Sequence, residues 1–129
     1  MKHIVVVEDD DQFRSMLREL LSRAGYAVTE ARNGREALAA CRAEVTDLVI
    51  TDILMPETEG IETIRELRRE RPGLPIIATS GGGRVGPLTY LALARRAGAD
   101  RTFEKPFSTR EMLDAVRELT TAEPGAAPA

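Results

Sequence analysis

Five short runs of strand-forming residues alternate along the chain with five stretches of helical periodicity, and this alternation sets the fold class. Parallel strands linked by crossover helices are covered on both faces, so they read as continuously apolar runs. Ile4 to Val7, Leu48 to Thr51 and Pro75 to Thr79 have that character, whereas Ala27 to Glu30 and Arg101 to Glu104 are more mixed. The expectation is an α/β, doubly wound parallel sheet of five strands with five helices, the second and fifth strands lying at the edges. The first helix is the clearest, because Phe13, Met16, Leu17, Leu20, Leu21 and Ala24 recur at spacings that make one inward stripe, with Gly25 as cap. A second carries Ala37, Leu38 and Cys41, and a third carries Ile61, Ile64 and Leu67 and ends before Pro72-Gly73. The fourth runs from about Pro87 to Ala97 with Gly98 as cap. The fifth starts after Ser108 or Thr109 and turns Met112, Leu113, Val116 and Leu119 inward. Residues 1–121 read as one domain, and the Pro/Gly/Ala-rich residues 122–129 as a flexible tail.

Bulk composition narrows the function classes. A chain of 129 residues suits one domain, and 43% hydrophobic with 30% charged residues is a globular balance. A net charge of −3 and the lack of a basic patch argue against nucleic acid as a partner. No apolar stretch reaches membrane-spanning length, the N-terminus lacks a signal-peptide pattern, and the single Cys41 precludes a disulfide framework. The expectation is a cytoplasmic protein without a membrane partner. His3, Cys41 and the methionines read as structural, and Arg65-Glu-Leu-Arg-Arg-Glu-Arg71 as the solvated face of the third helix.

The chemistry gathers at strand ends. Asp52 closes the apolar run Leu48-Val-Ile-Thr51, and Glu8-Asp9-Asp10 closes Ile4-Val-Val-Val7. Burying a carboxylate is costly, so acids placed there ask for a chemical reason. In an open parallel sheet, ligands sit beyond the carboxyl ends of the strands, a rim that also collects Ser80 and Lys105-Pro106. Clustered carboxylates repel one another unless a cation is present, which favours a hard, oxygen-ligated ion such as Mg²⁺. A lysine and a hydroxyl beside such an ion suit an anionic guest, and phosphate fits.

Glu8-Asp9-Asp10, Asp52 within Asp-Leu-Val-Ile-Thr-Asp-Ile-Leu-Met-Pro, Gly60, Ser80 within Pro-Ile-Ile-Ala-Thr-Ser, and Lys105 within Glu-Lys-Pro-Phe occur in order. Together they resemble the receiver domain of two-component response regulators, over about residues 2 to 121. The resemblance implies a flavodoxin-like strand order, 2-1-3-4-5. It implies that Asp52 is the phosphoacceptor and a metal ligand, Asp9 a direct Mg²⁺ ligand, Glu8 a ligand through water, and the Leu54 carbonyl a third protein ligand. Ser80 would bind the phosphoryl group, Lys105 would pair with it, and Pro106 is similar to a cis-proline of the family. Gly60 reads as a turn residue. The implied partners are a histidine kinase or histidine phosphotransfer protein, and a downstream protein at the face of the fourth helix, fifth strand and fifth helix. The chain would be a phosphoacceptor rather than a classical enzyme, signalling in a stand-alone role.

Two features depart from the family pattern. The switch position, usually aromatic, is Thr102, with Phe103 beside it and facing the core; Gly81 to Gly86 is longer and richer in glycine than usual and reads as mobile. Ser80 and this loop would then carry the switch. A receiver-like adaptor that works without phosphorylation is one alternative. A nucleotide-binding protein is another, because Gly81-x-Gly83-x-x-Gly86 between a strand and a helix is formally a dinucleotide fingerprint.

Overall fold

The computed structural model describes residues 1–53, 59–81 and 87–121. In chain order the elements are β1 (His3–Val7), α1 (Asp11–Arg23), β2 (Ala27–Ala31), α2 (Gly34–Ala43), β3 (Leu48–Asp52), α3 (Glu59–Glu70), β4 (Ile76–Ser80), α4 (Pro87–Ala97), β5 (Arg101–Glu104) and α5 (Thr109–Thr121). The strands form one sheet in the order β2-β1-β3-β4-β5, and every neighbouring pair is parallel. Alternation along the strands sends Ile4, Val6, Leu48, Ile50 and Ile77 to one face, where Leu17 and Leu21 of α1 and Met112, Ala115 and Val116 of α5 cover them. Val5, Val7, Val49, Ile76 and Ala78 face the other way, against Ala37 and Cys41 of α2, Ile64 and Leu67 of α3, and Ala94 of α4. The central strands are therefore buried on both faces, as their apolar runs predict.

Local caps explain where helices begin and end. Asp10 accepts hydrogen bonds from the amides of Gln12 (3.0 Å) and Phe13 (3.2 Å) at the start of α1. Ser108 Oγ accepts from Glu111 N (3.2 Å) at the start of α5. Gly25 (φ 98°) and Gly98 (φ 125°) reverse the chain after α1 and α4 in left-handed geometry that a side chain would strain. His3 is structural: its ring nitrogens meet Thr29 Oγ1 (2.7 Å) and the Val45 carbonyl (2.9 Å).

Several expectations are corrected. Met16 is 39% exposed and Ala24 is also exposed, so the inner stripe of α1 is Arg14, Leu17 and Leu21 with Phe13 and Leu20 at its margin. The run Arg65 to Arg71 is not simply a solvated face. Arg68 donates to the carbonyls of Pro72 (2.7 Å), Leu74 (2.7 Å) and Gly98 (2.6 Å) and to Asp100 Oδ2 (3.0 Å), and Arg71 donates to the Cys41 carbonyl (2.5 Å). These guanidiniums satisfy carbonyls of loops and helix ends that have no regular partner. The fourth strand runs one residue later than the apolar pattern, ending on Ser80. Gly60 is no turn residue: it lies in the first turn of α3, where a Cβ would fall 2.4 Å from Ile53 Cα and 2.6 Å from the Asp52 carbonyl oxygen. Leu54, Gly82 to Gly86 and the tail from residue 122 lie outside the described residues.

Candidate functional site

The strand order reverses between β1 and β3, since β1 continues to β2 on one side and β3 to β4 on the other. A crevice at such a reversal, beyond the carboxyl ends of the strands, is the usual ligand position in doubly wound sheets. Here β1 delivers Glu8 and Asp9, and β3 delivers Asp52. Backbone bonds fix all the tips: Glu8 N to the Ala31 carbonyl (2.9 Å), Ile53 N to the Thr79 carbonyl (2.9 Å) and Lys105 N to the Ser80 carbonyl (2.8 Å). The buried Thr51 hydroxyl adds a bond to the Asp52 carbonyl (3.1 Å).

The three acids of the first turn have different roles. Asp10 caps α1, Asp9 is exposed, and Glu8 is only 2% exposed. Asp52 is 5% exposed. Carboxylate oxygens of Glu8, Asp9 and Asp52, one from each, lie within 4.8 Å of one another. Lys105 Nζ is 2.6 Å from Glu8 Oε1 and 3.6 Å from Asp52 Oδ2, so one ammonium faces two of the three acids. Burial pushes the Glu8 carboxyl up to about 7; the Lys105 hydrogen bond opposes this, and the negative charge of Asp52 adds to it.

Ser80 completes the rim. It ends β4 opposite Glu104, is fully buried, and its Oγ has no hydrogen-bond partner among the described residues. A buried hydroxyl is normally hydrogen-bonded, so Ser80 Oγ at the tip of β4 is free, among the described residues, to donate a hydrogen bond to an anionic group. The donor set fits Mg²⁺: oxygen ligands in a partly open cluster suit an ion that keeps several waters of its own. Lys105-Pro106 is a cis peptide, as the sequence resemblance implies.

A single family model spans all of these residues. The response regulator receiver domain model matches residues 4–117. The chain belongs to that family. Among curated relatives of this receiver, the chemotaxis protein CheY of Thermotoga maritima is 34% identical over 92% of this chain and 98% of its own length. Response regulator MprA of Mycolicibacterium vanbaalenii is 38% identical over 95% of this chain, but over only 53% of its own length. The receiver spans about half the length of the first curated relatives it matches. Among solved structures, a CheY-like receiver domain from Methanospirillum hungatei superposes with a TM-score of 0.83 at 30% identity, covering 92% of each chain. Response regulator TrrA of Thermotoga maritima, solved in complex with Mg²⁺ and BeF, superposes at 0.80 with 34% identity, covering 92% of this chain and 99% of its own. Strand order 2-1-3-4-5 and the five helices of this receiver agree with that fold.

The receiver also uses residues that the sequence patterns did not single out. Arg14, only 8% exposed, donates to the Glu8 carbonyl (2.9 Å) and to Glu30 Oε1 (3.1 Å) and Asp11 Oδ1 (2.6 Å). The signal was present: Arg14 shares the inward spacing of Leu17 and Leu21, an odd place for a guanidinium unless it has buried acceptors. Thr102 lies half-buried on β5 opposite Ala78, and Phe103 packs with the α1 and α5 core cluster. Among the described residues no helix is long and apolar enough to cross a membrane.

Proposed function

We propose that this receiver accepts a phosphoryl group on Asp52 from a phosphohistidine donor in a two-component or phosphorelay pathway, with Mg²⁺ as cofactor. The observation that carries this reading is the convergence of Asp52, the Glu8 and Asp9 carboxylates and Lys105 at the β1/β3 reversal, with the Ser80 hydroxyl, unpartnered among the described residues, at the neighbouring tip of β4. An Asp52 oxygen attacks phosphorus, a P–O bond forms, the P–N bond to the donor imidazole breaks, and the imidazole keeps the electron pair and is protonated. Such transfer needs alignment and charge neutralisation more than a strong base. Bound Mg²⁺ would be held by Asp9 and Asp52, by Glu8 through water and by the Leu54 carbonyl, and it supplies positive charge to the phosphoryl oxygens. Lys105 neutralises a further oxygen, and Ser80 donates its hydroxyl to another. Hydrolysis of the acyl phosphate at the same residues returns Asp52.

Phosphorylation places roughly 1.5 to 2 negative charges beside Ser80 at the tip of β4. Output then runs to a protein partner at the α4, β5 and α5 face, where Leu93, Arg95 and Arg96 are exposed. With Thr102 at the usual aromatic position, Ser80 and the residues after it carry the switch. In this reading the domain is a cytoplasmic phosphoacceptor that assists its own phosphorylation and dephosphorylation. The test is incubation with a small-molecule phosphodonor and Mg²⁺, followed by intact mass. One phosphoryl group is expected on the native chain and none after chelation or on Asp52→Asn; retention of the adduct by Asp52→Asn would sink the reading.

A further inference from the structure

Lys105 carries its ammonium on a flexible stem, yet three groups hold it. Glu8 Oε1 lies 2.6 Å from Nζ, Asp52 Oδ2 lies 3.6 Å away, and the ring centroid of Phe13 lies 4.0 Å away. An ammonium at that distance over a ring face is attracted by the ring quadrupole, more strongly where water is excluded. The Lys105 side chain is only 17% exposed. Phe13 is itself fixed, because its ring meets Phe107 at 5.7 Å with the planes at 90°, and Phe107 meets Phe103 at 5.8 Å and 60°. Edge contacts of this kind favour one ring orientation over others.

Phe13 comes from the first turn of α1, whose cap is Asp10. The turn that presents Asp9 to the site therefore also presents an aromatic face to Lys105. An aliphatic residue would fill the same space without attracting a cation. A lysine has many rotamers, and the two carboxylates compete for its ammonium, with Glu8 1.0 Å closer than Asp52 (3.6 less 2.6 Å).

We propose that Phe13 is a positioning residue for phosphoryl transfer: its ring face confines the Lys105 ammonium within reach of the Asp52 carboxylate. The proposal rests on the reading of Asp52 as phosphoacceptor. Phe13 touches neither phosphorus nor metal, and it acts only through Lys105.

The test places 4-fluoro-, 3,5-difluoro- and 3,4,5-trifluorophenylalanine at position 13 of the full chain. These rings keep nearly the same shape while their negative face is progressively withdrawn. Rates of phosphorylation by a small-molecule phosphodonor at saturating Mg²⁺ are read by intact mass, beside melting temperature. NMR of the Lys105 ε-methylene protons in the native chain and in Phe13→Leu reports whether the stem lies over the ring. Expected are a stepwise fall in rate across the series, about threefold to tenfold in total, with unchanged melting temperature, and an upfield ε-proton shift lost in Phe13→Leu. A flat rate across the series, with the native chain still phosphorylated at Asp52, overturns the positioning role and leaves Phe13 as core packing. Absence of phosphorylation on the native chain instead overturns the function proposed for Asp52, and this role with it.

Discussion

Glu8 and Ser80 are the polar residues whose burial is most unusual among those gathered at the strand tips. The Glu8 carboxyl is raised from 4.5 to about 7, chiefly by burial. The folded state therefore binds its proton more tightly than the unfolded chain does. Its contribution to stability is fully present below about pH 4.5 and is lost as pH rises through 7. Asp11 and Glu70 are shifted the opposite way by their arginine partners, so the Glu8 effect is isolated by difference. Without divalent cation, the melting temperature of the native chain relative to Glu8→Gln should fall between pH 5 and 8, and added Mg²⁺ should reduce that fall. An equal dependence in both proteins would locate the strain elsewhere. Ser80→Ala removes a buried hydroxyl that has no partner among the described residues, so stability should change by less than about 1 kcal/mol, in either direction. Phosphorylation should nevertheless slow by roughly tenfold to a hundredfold, because one donor to the transferring group is gone. A rate matching that of the native chain would remove Ser80 from the site.

At the scale of elements, close approach and carbonyl satisfaction hold the site's framework. The first turn of α3 packs against the end of β3 only because Gly60 has no Cβ, the nearest backbone atom being 2.4 Å from where one would stand. Gly60→Ala should cost about 1–3 kcal/mol in chemical denaturation and lower the phosphorylation rate through a displaced Asp52. Unchanged stability would show that α3 can retreat freely. At the opposite end of the sheet, Arg68 ties α3 to the turns before β4 and β5 through three carbonyls and Asp100, whose Oδ2 also accepts Ile76 N (2.8 Å). Arg68→Ala should cost about 3 kcal/mol, with phosphorylation rate preserved while the protein stays folded. The sequence shows the elements well because a doubly covered sheet needs apolar strands and periodic helices. It shows the tertiary role of arginines poorly, since alternating charges on α3 look the same whether they face water or distant carbonyls. Gly60 was visible as a motif member, but the need for a bare backbone there arises only when α3 folds onto Ile53. Similarly, Phe13 follows the apolar stripe of α1, and nothing in that periodicity reveals an ammonium over its ring.

For the molecule as a whole, the reversal of strand order between β1 and β3 joins sequence to function. It brings residues 8, 9 and 52 together from distant parts of the chain, while β4 and β5 set Ser80 and Lys105 beside them. The candidate site was legible in the sequence because acids, a hydroxyl and a lysine follow strand ends. The division of labour among Glu8, Asp9 and Asp10 was not, because it depends on which acid the turn buries and which it gives to the helix cap. The most direct measurement is borohydride reduction of the chain after reaction with a phosphodonor and Mg²⁺, followed by peptide sequencing by mass spectrometry. An acyl phosphate on Asp52 would be reduced to homoserine at position 52, which is the expected result. Homoserine at another aspartate, or phosphate retained on a serine, threonine or histidine with position 52 unmodified, would contradict Asp52 as the phosphoacceptor.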